Sequence, residues 1–377
     1  MDINESREKI NQIDAQLTQL FQQRMAAALE IAKYKQENHL PVYDPARERQ
    51  VLLSQTAAVP PELASSTRVL FSTLFDLSRS YQHQYLSAPS PLPDRIRKAV
   101  KDCDFPSTAV VACQGVEGAY SQQACEKLFT LPDIMYCKSF EGVFQAIESG
   151  LCYYGVLPIE NSAYGSVDEV YDLMRRYRFS IVRSARIKVN HQLLALPGTR
   201  LADVREVLSH SQAIGQCGAF LKSLPDVRIT PCENTAMAAK RVAESGRGDV
   251  AAIASPACAE LYGLTPLERN VCDTDHNFTR FICIARDTEI YPGANRMSLM
   301  LTLPHKPGSL YRMIARFAAL GLNLTKLESR PIAGTDFEFQ FYFDLEASVR
   351  NEAALNLLGQ LSGESADFTY LGSYSEV

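Results

Sequence analysis

The sequence predicts a multidomain chain: an all-α helical module, then a two-lobed α/β region, then a small α+β unit of ferredoxin-like type. Three observations carry this. Apolar residues recur at every seventh position over residues 3–34, strand-like and helical runs alternate over 107–286, and a βαββαβ pattern fills 296–377. At 377 residues the chain exceeds one ordinary domain. Hydrophobic residues make up 46%, enough for several cores. A net charge of -5 argues against nucleic acid or an anionic membrane as main partner. No apolar run approaches the ~20 residues of a membrane span. Residues 1–9 are charged and read as a helix start, not a signal peptide. The 10 cysteines are scattered, without a CxxC pair or a Cys/His cluster at metal spacing. They read as reduced core thiols of a cytoplasmic protein, and no metal is expected.

Within residues 1–86, Ile3, Ile10, Leu17, Arg24 and Ile31 fall seven apart, as do Ile13, Leu20, Ala27 and Tyr34. This is the seam of one long helix ending before Pro41. At ~1.5 Å per residue it is about 50 Å long, more than a small monomeric bundle covers. Burial against a second chain, and so at least a homodimer, is the expectation. Arg24 in the seam is either a register-setting polar residue or a cation with an anionic partner. Lys35 shares its face, only about 20° around the helix. Arg7 faces elsewhere and is better placed to enter a partner chain's site. Asp44-Pro45 starts a second helix bearing Arg47 and Glu48. A third follows Pro60-Pro61 and carries the stripe Leu70, Leu74, Leu77, Tyr81, with Ser78 and Gln82 on one shared face.

In their order and spacing, Ser6-Arg7-Glu8-Lys9-Ile10, Arg24, Lys35, Asp44 with Arg47-Glu48-Arg49, and Ser78-Arg79-Ser80-Tyr81-Gln82 resemble the all-helical chorismate mutases. The resemblance implies an intertwined dimer in which the first helix lends its arginine to the neighbour. The rearrangement of chorismate to prephenate is unimolecular and needs no nucleophile or base. A site must hold the dianion in a compact conformer and stabilise charge developing on the ether oxygen. By resemblance, Arg7, Arg24 and Arg47 grip carboxylates, Lys35 and Gln82 donate to the ether oxygen, Glu48 takes the ring hydroxyl, and Ser78 and Asp44 support them.

Residues 87–106 read as a linker. Ser87-Ala88-Pro89-Ser90-Pro91-Leu92-Pro93 is stiff and Pro/Ser-rich, with a short charged helix expected over 94–101. Beyond it, strand-like runs at 108–113, 134–137, 153–159, 207–209, 228–230 and 250–254 each lead into a helical pattern, which predicts largely parallel strands. A late stretch, 275–285, reads through Phe278, Phe281, Ile282 and Ile284 as a buried strand interrupted by Thr279 and Arg280. Its return to an early sheet predicts two lobes with a cleft, and ligands there sit outside strand carboxyl ends. Arg280 has two readings: it pairs with a local carboxylate, or it faces an anionic substrate. Polar residues gather at strand ends: Tyr120 with Ser121 as a helix N-cap, Glu160-Asn161, Ser209-His210 with Gln216, and Asn234-Thr235. Each alone is an ordinary cap or turn; together at one sheet edge they form a candidate anion site.

The pieces Pro158-Ile159-Glu160-Asn161 and Asn277-Phe278-Thr279-Arg280-Phe281 resemble the prephenate dehydratases. The loop from Gln114 to Ser121 and Ser211 depart from that family's usual residues. The resemblance implies a periplasmic-binding-protein-like fold and loss of carbon dioxide with the ring hydroxyl, assisted by a general acid. Thr279 is the expected donor or donor-orienting residue. Asn161, Gln216 and Glu160 orient the ring hydroxyl, Arg280 balances charge, and Phe281, Tyr120, Ser121, Ser209 and Thr235 complete the site. His210 ranks below Thr279 as an acid, because a single His at a strand end is more often structural. Cys113 and Cys217 have no adjacent base, so no covalent route is expected.

In 296–377, strands at 297–303 and 322–329 flank a helix that begins at Pro307-Gly308-Ser309-Leu310. Phe337, Phe339, Phe341 and Phe343 alternate in a third strand, and a helix at 351–361 and a strand at 368–371 follow. Gly308-Ser309-Leu310 and Glu328-Ser329-Arg330-Pro331 resemble the phenylalanine-binding signatures of ACT regulatory domains. Taken in order, the three regions resemble the bifunctional chorismate mutase–prephenate dehydratases. This implies chorismate and prephenate as substrates, L-phenylalanine as effector, and no metal or organic cofactor. Two rivals stand beside it: a ligand sensor that has lost catalysis, and an enzyme with one live activity. Retention of Arg24, Lys35, Asn161 and Thr279 argues against the first.

Overall fold

The computed structural model describes residues 2–41, 43–86, 90–332, 334, 338–365 and 367–377, with only the backbone of 83–85. Phe337 and the linker residues Ser87, Ala88 and Pro89 lie outside the described residues. Three helices open the chain: α1 (Ile3–Glu37), α2 (Pro45–Ala57) and α3 (Pro61–Leu86). Asp2 caps α1 by accepting from Asn4 N at 3.0 Å, and Asp44 caps α2 by accepting from Arg47 N at 3.0 Å, with Pro45 in the first turn. Met25 and Ala32 on α1 and Phe75 on α3 are buried. The heptad seam is not: Ile3 is 62% exposed, Leu17 54% and Leu20 59%. One chain covers one side of α1 and leaves a long apolar stripe open.

The expected linker helix is α4 (Leu92–Ala99), and it is no free spacer. Leu92 and Ile96 are buried in one cluster with Leu355 and Leu358 of the C-terminal unit. Leu92 near the end of the Pro/Ser-rich run and Ile96 just beyond it, four apart on one helix face, were enough to dock it.

The first lobe contains β1 (Thr108–Gln114), α5 (Tyr120–Leu128), β2 (Leu131–Cys137), α6 (Phe140–Glu148), β3 (Tyr154–Asn161), β4 (Gly165–Ser166), α7 (Asp168–Tyr177) and β5 (Ser180–Lys188). The second contains β6 (Gln192–Ala195), β7 (Glu206–His210), α8 (Ser211–Gln216), α9 (Gly218–Ser223), β8 (Arg228–Cys232), α10 (Thr235–Ser245), β9 (Val250–Ala254), α11 (Ala257–Leu261) and β10 (Thr265–Glu268). The late strand β11 (Phe278–Ala285) then returns to the first lobe. The sheet orders are β2-β1-β3-β11-β5, with β4 beside β3, and β10-β6-β9-β7-β8. Both sheets are mixed rather than largely parallel, because β11 runs antiparallel to β3 and β5, and β6 antiparallel to β9. The two crossings between lobes are tied together: Val189 N donates to Asn277 O at 2.8 Å and Val271 N to His191 O at 3.0 Å. Helix α5 begins two residues before expectation, with Ala119 at its N-cap, so Ser121 lies inside the first turn.

The C-terminal unit is β12 (Arg296–Leu303), α12 (Ser309–Ala319), β13 (Asn323–Pro331), β14 (Phe339–Glu346), α13 (Glu352–Glu364) and β15 (Thr369–Tyr374), with antiparallel order β13-β14-β12-β15. This is the ferredoxin-like arrangement. Met313, Phe317, Leu355 and Leu358 fill the space between its helices and its sheet. Residues of the same sheet (Met300, Tyr342, Leu371, Tyr374) share a buried cluster with Tyr171, Ile181 and Ile284 of the first lobe. There β15 runs so close to Ile181 that Gly372, at φ +136°, has no room for a Cβ.

Candidate functional site

On the helical module, Arg24 donates from Nη1 to Leu74 O at 3.1 Å and to Ser78 Oγ, and its guanidinium lies 5.6 Å from the centre of the Phe75 ring. Burial pulls the Arg24 guanidinium below its ordinary value, against the opposing charge of Glu48. Ser78 and Gln82 are buried on the facing side of α3, and Lys35 is half-buried. Asp44 acts through the cap that starts α2, the helix carrying Arg47 and Glu48. Arg47 is exposed and donates to Gln50 Oε1 at 2.8 Å. Glu48 is held by Arg79, whose guanidinium also pairs with Asp76 and lies 5.3 Å from the centre of the Tyr43 ring. Arg7 is exposed and stands 17 residues before Arg24 on the same helix. At ~1.5 Å per residue that is about 25 Å, so the two cannot grip one small molecule within a chain.

In the two-lobed region the decisive feature is the pairing of β11 with β3. Thr279 sits opposite Asn161 and Arg280 opposite Glu160, and the register shifts before Phe281, which faces Pro158. Pro158 has no N–H for the ladder, which accounts for an irregularity at this point of an interior strand. Asn161 Oδ1 accepts from the backbone N–H groups of Ala163 and Tyr164, at 2.9 and 3.1 Å. That fixes its amide, so Nδ2 must donate, and it does so to Thr279 Oγ1 at 2.9 Å and Asn277 Oδ1 at 2.8 Å. Thr279 Oγ1 is therefore an acceptor toward Asn161, and its proton is left to donate elsewhere. Asn277, fully buried, presents an Nδ2 that finds no acceptor among the described residues. Beyond the bonds inside the cluster, the Thr279 proton and Asn277 Nδ2 remain as its donors.

Arg280 takes the first of its two readings and pairs with carboxylates. Its guanidinium is 6% exposed and pairs with Glu160 at 2.6 Å and Asp344 at 2.5 Å. Successive strand residues point to opposite faces, so Thr279 and Arg280 cannot both face one small substrate. Glu160 is corrected with it. Lys326 Nζ lies 2.5 Å from its Oε2, so the carboxylate joins Arg280 and the C-terminal unit instead of orienting a ring hydroxyl. Burial alone would raise the Glu160 carboxyl; Arg280 and Lys326 outweigh that and hold it below the usual range.

Other expected residues divide. Gln216 is buried, and its Oε1 lies 3.0 Å from His191 Nε2. Tyr120 donates to Asn190 O at 2.7 Å and lies 3.4 Å from His191 Nδ1. These sit together at the crossing between lobes. Ser209 is corrected: it is fully buried and donates to Ile253 O at 2.7 Å, a structural bond. Phe281 is core, and Ser121 is buried in the first turn of α5. His210 caps α8, accepting from Gln212 N at 3.3 Å. Thr235 begins α10 behind the cap Asn234, which accepts from Met237 N at 2.7 Å.

Sequence reasoning passed over Asn277, His191, Tyr164 and Arg79. Asn277 had a signal: two residues before Thr279, it shares that strand face. His191 had none, since its burial comes from the crossing. Burial pulls its imidazole down to about 4 against the Gln216 hydrogen bond, so at neutral pH it is uncharged and no acid. Tyr164 follows Asn161 and reaches across to Gly215, beside Gln216.

In the C-terminal unit, Gly308 is the N-cap of α12 at φ +82°, and Ser309 is buried behind it and accepts from Arg312 Nη2 at 3.1 Å. Leu310 packs on the core. Glu328 is engaged, 2.5 Å from Ser166 Oγ and 3.7 Å from Lys326 Nζ. Arg330 pairs with Asp168 at 2.5 Å, while Ser329 and Pro331 lie on the opposite, exposed face of β13.

The prephenate dehydratase family matches residues 111–289, and the chorismate mutase type II family matches residues 6–83. The bifunctional chorismate mutase/prephenate dehydratase of Escherichia coli (strain K12) is 31% identical over 379 residues, which cover 98% of this chain and 95% of that one. The chain belongs to this bifunctional family. It is an enzyme with two activities, a chorismate mutase and a prephenate dehydratase, joined in one polypeptide. The arogenate dehydratase/prephenate dehydratase 2 of Arabidopsis thaliana is 41% identical over 276 residues, covering 70% of this chain and 72% of that one. A prephenate dehydratase from Arthrobacter aurescens, solved in complex with L-Phe, superposes with a TM-score of 0.63 at 27% identity, covering 71% of this chain and 90% of that chain. Among the described residues no helix is long and apolar enough to cross a membrane, and no group of His, Cys, Asp and Glu could hold a metal ion.

Proposed function

We propose that the bifunctional chemistry is carried by two separate sites under control of L-phenylalanine at a third. In the mutase, Arg24 and Arg47 with Arg7 of the partner subunit bind the two carboxylates. Lys35 and Gln82 donate to the ether oxygen, and Glu48 accepts from the ring hydroxyl. The ~25 Å between Arg7 and Arg24 on one helix supports a homodimer as the working unit. The exposed seam of α1 supports the same assembly. The 10 cysteines, all free, fit a reducing cytoplasm.

In the dehydratase, the donor cluster at β11 carries the reading. Aromatisation drives loss of carbon dioxide, and the ring hydroxyl must leave as water. Thr279 donates to the departing oxygen because Asn161 occupies its lone pair, and Asn277 adds an N–H. Gln216, oriented by neutral His191, faces the same cleft. A Thr hydroxyl is a weak acid, so the site acts by stabilising a departing oxygen with fixed donors. Separate assays with chorismate and with prephenate test the two-site reading; absence of either activity overturns it.

Two outcomes follow from these roles. Gln82→Glu should make the mutase depend on acid, because an amide always donates whereas a carboxyl donates only when protonated. The measurement is kcat across pH; equal values at neutral and acid pH place Gln82 away from the ether oxygen. For the effector, the Gly308 turn at the start of α12, where Ser309 N donates to Lys306 O at 3.2 Å, suits an amino-acid carboxylate. Gly308→Leu strains the φ +82° turn and crowds Arg312 Nη1, 3.0 Å from a Cβ there. The dose–response of its prephenate turnover to L-phenylalanine, scaled to its own uninhibited rate, should be flat. Inhibition unchanged from the parent would put the effector elsewhere.

A further inference from the structure

The C-terminal unit grips the two enzymes by different surfaces. Its strands hold the dehydratase: Lys326 to Glu160, Glu328 to Ser166, Arg330 to Asp168, Asp344 to Arg280. Its helix α12 holds the mutase. Arg312 Nε lies 3.4 Å from Asp76 Oδ2 on α3, and Arg316 Nη2 lies 3.4 Å from Ser80 Oγ. Asp76 also pairs with Arg79, and Arg79 with Glu48. At its other end Arg312 donates to Ser309 Oγ at 3.1 Å and to Pro307 O at 3.4 Å, the turn around Gly308. Charges of alternating sign therefore run unbroken from that turn through Arg312, Asp76 and Arg79 to Glu48. The side chains of Asp76 and Glu48 are each 25% exposed and that of Arg79 27%, so water screens the two Arg79 pairs less than pairs on an open surface, while Arg312 is 38% exposed.

We propose that Arg79 is a positioning residue for Glu48, and that Arg312 connects it to the effector turn by a route separate from the one that reaches the dehydratase. The proposal rests on the reading of Glu48 as the acceptor of the ring hydroxyl and of the Gly308 turn as the effector site. A free glutamate samples several rotamers; pairing with Arg79 selects one, and a misaligned acceptor lowers the fraction of substrate held ready to react. L-phenylalanine bound at the turn favours one placement of Arg312, and Asp76 passes the difference to Arg79. Such coupling requires only that the two placements differ in affinity for the effector.

The test uses the full-length protein with Arg79→Gln, Arg79→Lys, Arg312→Gln and, as reference for the site, Glu48→Gln. Mutase rates on chorismate and dehydratase rates on supplied prephenate are measured with and without L-phenylalanine. Arg79→Gln should lower mutase kcat about tenfold with a smaller change in KM and no change in the dehydratase; Arg79→Lys should restore most of it. Arg312→Gln should abolish the response of the mutase to L-phenylalanine while inhibition of the dehydratase persists. Parent-like kcat in Arg79→Gln overturns the positioning role. A mutase response that survives in Arg312→Gln, or that the parent protein lacks, overturns the connection. Parent-like mutase activity in Glu48→Gln instead removes the underlying reading of the site.

Discussion

Arg24→Ala should all but abolish turnover of chorismate while dehydration of supplied prephenate continues near the parent rate. The guanidinium faces the α3 residues Leu74 and Ser78 and is partly withdrawn from water, so its charge acts at close range. A charge-assisted hydrogen bond contributes roughly 1.5–3 kcal/mol, and each 1.36 kcal/mol is tenfold in rate. That one contact is then worth about one to two orders of magnitude, and loss of the compact dianion conformer adds to it. The substitution also leaves a gap beside Phe75, so circular dichroism and the dehydratase rate serve as controls for folding. Loss of both activities in a folded protein would show that the two sites are not independent.

Thr279→Val should have a comparable effect on the other activity. Valine keeps the shape of the side chain and removes the hydroxyl. The departing oxygen loses a fixed donor, and Asn161 Nδ2 loses one of its two acceptors. Removing a single donor of this kind typically costs ~10²–10³ in kcat. The mutase rate should not change, because the substitution lies in β11, in the sheet of a different unit. The measurement is kcat on prephenate; a value near that of the parent would move the donor role to Asn277.

The long amphipathic helix, the three helical starts and the βαββαβ order were legible in the sequence because each is a local pattern with its own period or cap. The same holds for Thr279 with Asn161, which a strand pattern and a strand end placed near one another before their register was visible. Arg280 was not legible in this way. Its sequence neighbours suggested a substrate, yet its partners Glu160 and Asp344 come from two distant strands. Ser209 looked like a site hydroxyl at a strand end, and only the packing of β9 beside it showed its acceptor to be Ile253 O.

By itself, the sequence determined that this chain has a helical module, a two-lobed α/β region and a ferredoxin-like unit, and that α1 carries more apolar surface than one chain can bury. Periodicity and capping chemistry act between residues a few positions apart, so they survive without a structure. Only the tertiary structure decided which polar groups meet: that Arg280 turns away from Thr279, that α4 docks instead of spacing, and that Arg312 of the C-terminal unit reaches Asp76 of the mutase. Those outcomes depend on which faces of distant elements pack together, and a buried charge takes whatever opposite charge that packing brings within reach.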